Sequence, residues 1–261
     1  MQLKNSRILI TGASGGIGQA IAHLMDKQGA QLLLAGRNQQ TLEALKAALS
    51  GDHDIVIGDQ NSETGRQGIV SACQQNGLDG FINSAGVLDF NFYEQQSSTT
   101  IEQMLNTNLV SPMLLCHDLI PLLKQKKDTL IINIGSTFGS IGHPGFTAYC
   151  ASKFGLRGFT EALQRELADT NVRVLYLAPR ATSTGLNSNA VTQLNTALGN
   201  TVDTPEAVAK ELLAMLSTQQ TQRFIGWPEK LFVRINALFP KVVHSALVKK
   251  LPIIHRHTKT H

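Results

Sequence analysis

The sequence predicts an α/β fold, a doubly wound parallel sheet of six to seven strands with helices on both faces. Three observations carry that expectation. Short apolar runs alternate with longer helical patterns, a glycine-rich turn joins the first run to the first helix, and 261 residues suit one large domain. Arg7–Thr11 reads as a strand, Gly16–Gln28 as a helix and Gln31–Ala35 as a second strand. Thr41–Leu49 then reads as a helix, Asp54–Ile57 as a strand, Ser62–Asn76 as a helix and Gly80–Asn83 as a strand. The alternation continues through one long helix at Thr99–Leu123, a strand at Thr129–Ile134, a helix at Ala148–Ala168 and a strand at Arg173–Leu177. Strands spaced in this way need helical crossovers, which cover a parallel sheet on both faces. Pro179–Gly199, rich in Thr, Ser, Asn and Gly, reads as a mobile segment beyond a strand end, where open sheets bind ligands. Thr204-Pro205 opens a further helix, with a capping residue before proline. The expected division is a main domain over 1–226, including a substrate loop at 180–200, and a basic amphipathic extension over 227–261. That extension is either part of the same domain or a lid or interface segment.

Composition narrows the class. Apolar residues make up 42% and charged residues 16%, ordinary for a globular chain with a sizeable core. Cys73, Cys116 and Cys150 lie far apart, which argues against a disulfide framework or a zinc site and for a reduced, cytoplasmic setting. The N-terminus, from Met1, runs into the first strand with no signal-peptide pattern, and no apolar run approaches the length of a membrane span. The net charge of +4 is unevenly placed. From Trp227 to His261 there are seven Lys/Arg (Lys230, Arg234, Lys241, Lys249, Lys250, Arg256 and Lys259) against Glu229 alone, so the basic character belongs to the tail. No nucleic-acid partner is expected.

The turn after the first strand is Thr11-Gly12-Ala13-Ser14-Gly15-Gly16-Ile17-Gly18. Glycines at 12, 16 and 18 permit a tight turn and close approach of backbone to a pyrophosphate at a helix N-terminus, the Rossmann-type arrangement. The second strand ends Ala35-Gly36-Arg37-Asn38, without the carboxylate that would select NAD through the adenosine ribose. Arg37 would meet a 2′-phosphate through charge-assisted hydrogen bonds, so NADP(H) is favoured over NAD(H). Asp59, after the third strand, is a candidate for the adenine edge or a turn cap. Tyr149 and Lys153 stand four residues apart, and Ser136 lies thirteen residues upstream of the tyrosine. That spacing puts a phenol and an ammonium on one helix face, where a positive charge favours the phenolate and can turn Tyr149 into an acid–base group.

Together these pieces resemble the short-chain dehydrogenase/reductase family, in its single-domain, NADP-preferring branch. The resemblance rests on Thr11-Gly12-x-x-x-Gly16-x-Gly18, Asn83-Ser84-Ala85-Gly86, Asn108, Ser136, Tyr149-x-x-x-Lys153 and Pro179…Thr184, in the family's order. It implies a catalytic set of Asn108, Ser136, Tyr149 and Lys153. Tyr149 would exchange a proton with the substrate oxygen, and Ser136 would orient that oxygen. Lys153 would hold the nicotinamide ribose and lower the Tyr149 pKa, and Asn108 would anchor a water that relays protons to Lys153. It implies a cofactor site of Gly12, Ser14, Gly16, Ile17, Gly18, Arg37, Asp59, Asn83, Ala85, Gly86, Tyr149, Lys153, Pro179, Thr182 and Thr184. The activity implied is the interconversion of a ketone and a secondary alcohol with NADPH. NAD-dependent alcohol oxidation and a catalytically silent, cofactor-binding regulatory protein are the alternatives.

The departures from the family pattern concern the substrate side. Arg180 follows Pro179 where the family usually has glycine, which leaves it to bind a substrate anion, to bind cofactor phosphates or to face solvent. Phe224-Ile225-Gly226-Trp227-Pro228 replaces the Gly-Gly ending that builds a tetramer interface. A homodimer through the Tyr149 helix, with Gly155, Leu156, Phe159 and Leu163 on its apolar face, is the expectation. The tail pattern Leu231, Ile235, Leu238, Phe239, Val242 and Val243 admits three readings. They are a helix covering the substrate pocket, an interfacial helix on an anionic membrane, and a dock for an acidic acyl carrier protein. His255 and His257 read as surface basicity, like His244 and His261, and no metal site is expected. Phe138, Ile141, His143 and Phe146 add apolar surface beside Tyr149, pointing to a hydrophobic or acyl-type carbonyl substrate.

Overall fold

The computed structural model describes residues 2–218 and 220–258; Met1, Lys259 and His261, which entered the reading of the two ends, lie outside them. The first half forms β1 (Arg7–Thr11), α1 (Gly16–Lys27), β2 (Gln31–Gly36), α2 (Gln39–Ala48), β3 (Asp54–Ile57), α3 (Glu63–Asn76) and β4 (Gly80–Asn83). Then come α4 (Ser98–Leu105), α5 (Ser111–Leu123), β5 (Thr129–Ile134), α6 (Thr147–Glu166) and β6 (Val172–Ala178). The chain continues through α7 (Asn189–Ala197), α8 (Pro205–Leu216), β7 (Gln222–Phe224), α9 (Glu229–Leu238), α10 (Pro240–Val248) and α11 (Leu251–His257).

The strands form one parallel sheet in the order β3-β2-β1-β4-β5-β6-β7. The order reverses between β1 and β4, and the crevice at that switch point opens at the C-terminal strand ends. Strand side chains alternate between the faces, as the two-residue repeat requires. Ile8, Ile10, Leu32, Leu34 and Ile132 join α1 and α8 in one core, while Leu9, Leu33 and Ile131 join α3, α5 and α6 in the other. A third cluster, away from the sheet, gathers Phe90, Phe146, Tyr149, Val191, Leu194 and Ile254.

Two expectations change, and two gain detail. The long helix at Thr99–Leu123 is two helices joined by a π-helical turn, Asn106–Val110. Pro112 explains the break, because it has no N–H to return to the carbonyl of Asn108 four residues back. The segment Pro179–Gly199, expected to be a mobile excursion beyond a strand end, carries α7. A bridge pairs Thr182 with Asp203, which pins the two ends of that excursion together. The three-residue β7, too short to show a pattern, supplies the seventh strand. Finally, Leu156 and Leu163 lie inside the protomer's own core and present no surface to a partner. The exposed apolar side chains on that side are Val110, Met113 and Leu114 of the α5 region and Phe154 of α6.

Candidate active site

The phosphate loop takes its shape from glycines that no other residue could replace without displacing backbone. Gly12 has φ +64, and a Cβ there would fall 2.6 Å from the Ala85 Cα; one on Gly18 would fall 2.2 Å from the Gly12 carbonyl oxygen. Gly16 sits behind the loop, where a Cβ would meet the Thr184 methyl at 2.9 Å. The turn after β1 is thereby pressed against the turn after β4 and against the segment after β6. Helices α2, α3, α4, α7 and α8 each begin at a side-chain cap, from Asn38, Ser62, Ser97, Ser188 and Thr204. Helix α1 begins at Gly15 with no side-chain cap and no acidic residue in its first turn. Its first N–H groups, at the positive end of the helix dipole, therefore face the crevice ready for an anion.

Beside the loop is a cleft of about 200 Å³ lined by Gly12, Ser14, Arg37, Asp59, Ala85 and Gly86, among others. Arg37 is exposed at the end of β2. The Asp59 carboxylate accepts from the Asn61 N–H at 3.0 Å, so it caps a turn at the cleft wall. Asn83 does not line the cleft. It is buried, accepting from the Thr11 hydroxyl at 3.3 Å and donating to Asn133 at 3.2 Å, and so ties three strand ends together beneath the loop. The cradle closed by glycines and the open helix terminus fit the pyrophosphate of a dinucleotide, and Arg37 stands exposed at the edge of the cleft.

The cleft continues into a larger cavity of about 510 Å³ lined by Ser136, Tyr149 and Lys153 together with Ile17, Gly18, Pro179, Thr182 and Thr184. Tyr149 stands in the first turn of α6 and Lys153 one turn further on, both buried. The Lys153 ammonium donates to the Ile134 carbonyl at 3.0 Å and lies 5.9 Å from the centre of the Tyr149 ring. Burial lowers the Lys153 pKa to about 8. Burial also pushes the Tyr149 phenol up to about 12, an effect only partly offset by its hydrogen bond with Ser136. Burial is the largest cause of that shift, and Lys153, whose ammonium is committed to the end of β5, is not among its causes. A phenol so placed holds its proton at neutral pH and is an acid before it is a base.

Asn108 lies in the π-helical turn, fully buried. Its side chain accepts from the Val87 N–H at 2.8 Å and donates to the Val87 carbonyl at 2.9 Å and the Ser152 hydroxyl at 3.0 Å. It thus clamps the loop after β4 to the residue beside Lys153. A Cβ on Gly86 would lie 3.4 Å from Asn108 Oδ1 and 3.9 Å from Lys153 Nζ, so the glycine keeps that corner open.

Two features to which the sequence assigns no role shape this site. Tyr176 of β6, fully buried, spans the Ser136 backbone: its hydroxyl accepts from the Ser136 N–H and donates to the Ser136 carbonyl, both at 3.4 Å. Gly135 and Gly139 flank that turn because Cβ atoms there would fall 2.1 and 2.5 Å from the Tyr176 ring and hydroxyl. Tyr176 escaped notice because a tyrosine in a buried strand looks like core. The second is the pair Asp203 and Glu229, which decides the role of Arg180. Its guanidinium makes two bonds to Asp203, at 3.0 and 2.8 Å, one to Glu229 at 3.0 Å and one to the Trp227 carbonyl at 3.1 Å. Arg180 is neither a free anion binder nor a solvated side chain. It latches the strand end after β6 to α9, over Gly226, whose φ of +93 lets the guanidinium lie against its Cα.

The outer part of the cavity is apolar, walled by Phe138, Ile141, Phe146 and Leu194 and roofed by Phe232, Val243 and Leu247 of the extension. His143 stacks on Phe138 at 5.0 Å and its Nδ1 meets the Pro144 carbonyl at 2.8 Å. Burial lowers its pKa to about 4, so at neutral pH it is an uncharged piece of wall. No group of three or more metal-ligating side chains occurs among the described residues.

Comparison with known proteins agrees with this geometry. The short chain dehydrogenase family model matches residues 6–195. Nodulation protein G of Rhizobium sp. (strain N33) is 34% identical over 180 residues, 68% of this chain and 74% of that protein. A 3-oxoacyl-[acyl-carrier-protein] reductase of Rickettsia prowazekii is 32% identical over 179 residues, 69% of this chain and 73% of that one. Among solved structures, a short-chain dehydrogenase from Streptomyces avermitilis superposes with a TM-score of 0.81 at 21% identity, covering 98% of this chain and 100% of that one. That last likeness shows the fold. With the matched sequence and the assembled site in hand, the chain belongs to the short-chain dehydrogenase family, as an oxidoreductase acting on CH–OH groups with NAD(P).

Proposed function

We propose that this protein is an NADPH-dependent reductase of a ketone carried on a hydrophobic or acyl chain, with Tyr149 as the proton donor. The observation that carries the reading is one cavity adjoining a side cleft, the two sharing Gly15, Ser84 and Gly86 in their walls. The cavity has Ser136, Tyr149 and Lys153 at its inner end and an apolar tunnel outward, and the side cleft ends at Arg37. When bound, the nicotinamide cofactor supplies the hydride. The chain's own residues do the rest. The Ser136 hydroxyl and the Tyr149 phenol both reach the same small volume, where a substrate carbonyl oxygen accepts from both. As negative charge develops on that oxygen, the phenolic proton passes to it and the serine hydrogen bond strengthens. Lys153, positively charged below about pH 8, stabilises the phenolate left behind. The Asn108 side chain is fully engaged with Val87 and Ser152. If a water restores the proton through Lys153, its anchor is the Asn108 carbonyl, to which Pro112 returns no N–H. Ser14, Ile17, Gly18, Ala85, Gly86, Pro179, Thr182 and Thr184 line the walls the cofactor would contact, while Gly16 and Asn83 act from behind them.

The relatives named as 3-oxoacyl reductases support an acyl-type ketone, and the apolar tunnel supports a chain of some length. A homodimer through Val110, Met113, Leu114 and Phe154 completes the reading, because these large apolar side chains of the π-helical turn, α5 and α6 are each exposed. The test is a panel of ketones of graded chain length, each with NADPH and NADH. Rising kcat/KM with chain length and preference for NADPH are expected. Efficient reduction of small polar sugars with long-chain ketones ignored, or a preference for NADH, overturns the reading.

A further inference from the structure

We propose that the corner between α9 and α10 is a docking surface for an anionic lipid bilayer. Leu238, Phe239 and Val242 stand at that corner 73%, 62% and 60% exposed, side by side on a 120° bend between two short helices. Large apolar side chains at such exposure in a contiguous group mark an interaction surface. Trp227, 62% exposed, stands just ahead of α9 with the Lys230 ammonium 5.6 Å from its ring centre. Val233 and Val243 are the buried residues of the two helices, so the opposite face is the one offered outward.

Charge selects the occupant. Residues 227–258 carry six Lys/Arg and one acid, Glu229, which is already paired with Arg180 at 3.0 Å. Lys230, Arg234, Lys241 and Lys249 are exposed on or just beyond the same two helices. An amphipathic pair with basic residues beside a Trp, Leu and Phe face is what an interfacial helix needs. Its apolar side enters the acyl boundary and its cations meet the headgroups. A second copy of this chain would bring two basic rims together, and an acidic carrier protein would satisfy the charges while leaving Leu238 and Phe239 in water. No single helix among the described residues is long and apolar enough to cross a membrane; α9 and α10 together have the length and apolar content of a bent span, but Val233 and Val243 are buried against the protein, which holds the pair at its surface. The inner side of the same helices supplies Phe232, Val243 and Leu247 to the roof of the Tyr149 cavity, so the docked face and the cavity share one wall. This inference stands independently of the reductase reading, because its test needs no turnover.

The experiment is flotation of the purified full-length protein with vesicles of phosphatidylcholine, with and without phosphatidylglycerol, at low and high salt. Binding is expected with phosphatidylglycerol and is expected to fall with salt. A Leu238→Asp/Phe239→Asp variant should bind at least about a hundredfold more weakly, from the lost apolar insertion of two large side chains. A Lys230→Gln/Arg234→Gln/Lys241→Gln variant should lose about fivefold per charge removed. All five substituted side chains are exposed, and unchanged thermal melts confirm that the variants fold. No flotation of the wild-type chain, equal binding to neutral vesicles, or undiminished binding by either variant overturns the proposal. So does gel filtration in which the Asp variant loses self-association instead of vesicle binding, which would assign the corner to a second copy.

Discussion

The two ends of the cavity are built on different principles. At the cofactor end, backbone meets backbone: Gly12 lies against Ala85 and Gly18 against its own turn, and the tolerance is that of a missing methyl group. At the substrate end, side chains meet side chains contributed by α6, α7, α9 and α10, elements spread over more than a third of the chain. A wall made of backbone admits very few residue types, so it is written as a motif. A wall made of packed side chains admits many solutions of similar volume, so it is written only as hydrophobicity.

Replacing Tyr149 by Phe gives the largest expected effect, and it separates chemistry from both walls. kcat should fall by about a hundredfold to ten-thousandfold, the usual worth of a positioned acid. Cofactor affinity, followed by fluorescence titration, should stay the same; near-normal turnover would remove Tyr149 from the mechanism. Arg37→Ser probes the cofactor wall. Losing charge-assisted bonds worth about 1.5–3 kcal/mol should weaken NADPH binding by about tenfold to a hundredfold and leave NADH nearly unaffected. Equal losses for both cofactors would mean that Arg37 acts on structure and not on the 2′-phosphate.

Arg180→Gln probes the substrate wall. Its ion pairs are partly screened, with side chains 12% exposed for Arg180, 14% for Asp203 and 24% for Glu229, so a loss of about 1–3 kcal/mol is expected. KM for a long-chain ketone should rise while cofactor affinity holds, because the arginine fastens α9 over the apolar tunnel and leaves the glycine cradle alone. A matched fall in cofactor affinity would show that the two walls are one unit. Tyr176→Phe is the mildest test. It removes two long hydrogen bonds at the Ser136 turn and should lower kcat less than tenfold, with about 1 kcal/mol lost from stability in a denaturant melt.

The legibility of the sequence follows the same division. The strand-loop-helix at Gly12–Gly18, the six longer strands and the order Asn108, Ser136, Tyr149, Lys153 could all be read, because each rests on a local repeat or a fixed backbone shape. The break at Asn106–Val110 has a local mark in Pro112, whose missing N–H leaves the Asn108 carbonyl without its regular helical partner. The role of Arg180 could not be read, since Asp203 and Glu229 lie 23 and 49 positions away and only the folded chain brings them to one guanidinium. The burial of Tyr149 is hidden from the sequence for a related reason. Spacing along a helix reports which charges are near, whereas burial, which decides here, belongs to the tertiary structure.

The Tyr176 ring occupies the space that side chains at positions 135 and 139 would otherwise fill. Those three positions therefore behave as one unit of fixed total size. Alanine at 135 should be tolerated only after position 176 has shrunk, so the order in which such changes accumulate matters as much as the changes. A lineage that begins with a large ring at 176 is held to glycine on both sides of its serine turn, and any drift in the loop that presents Ser136 has to start from the strand beneath it.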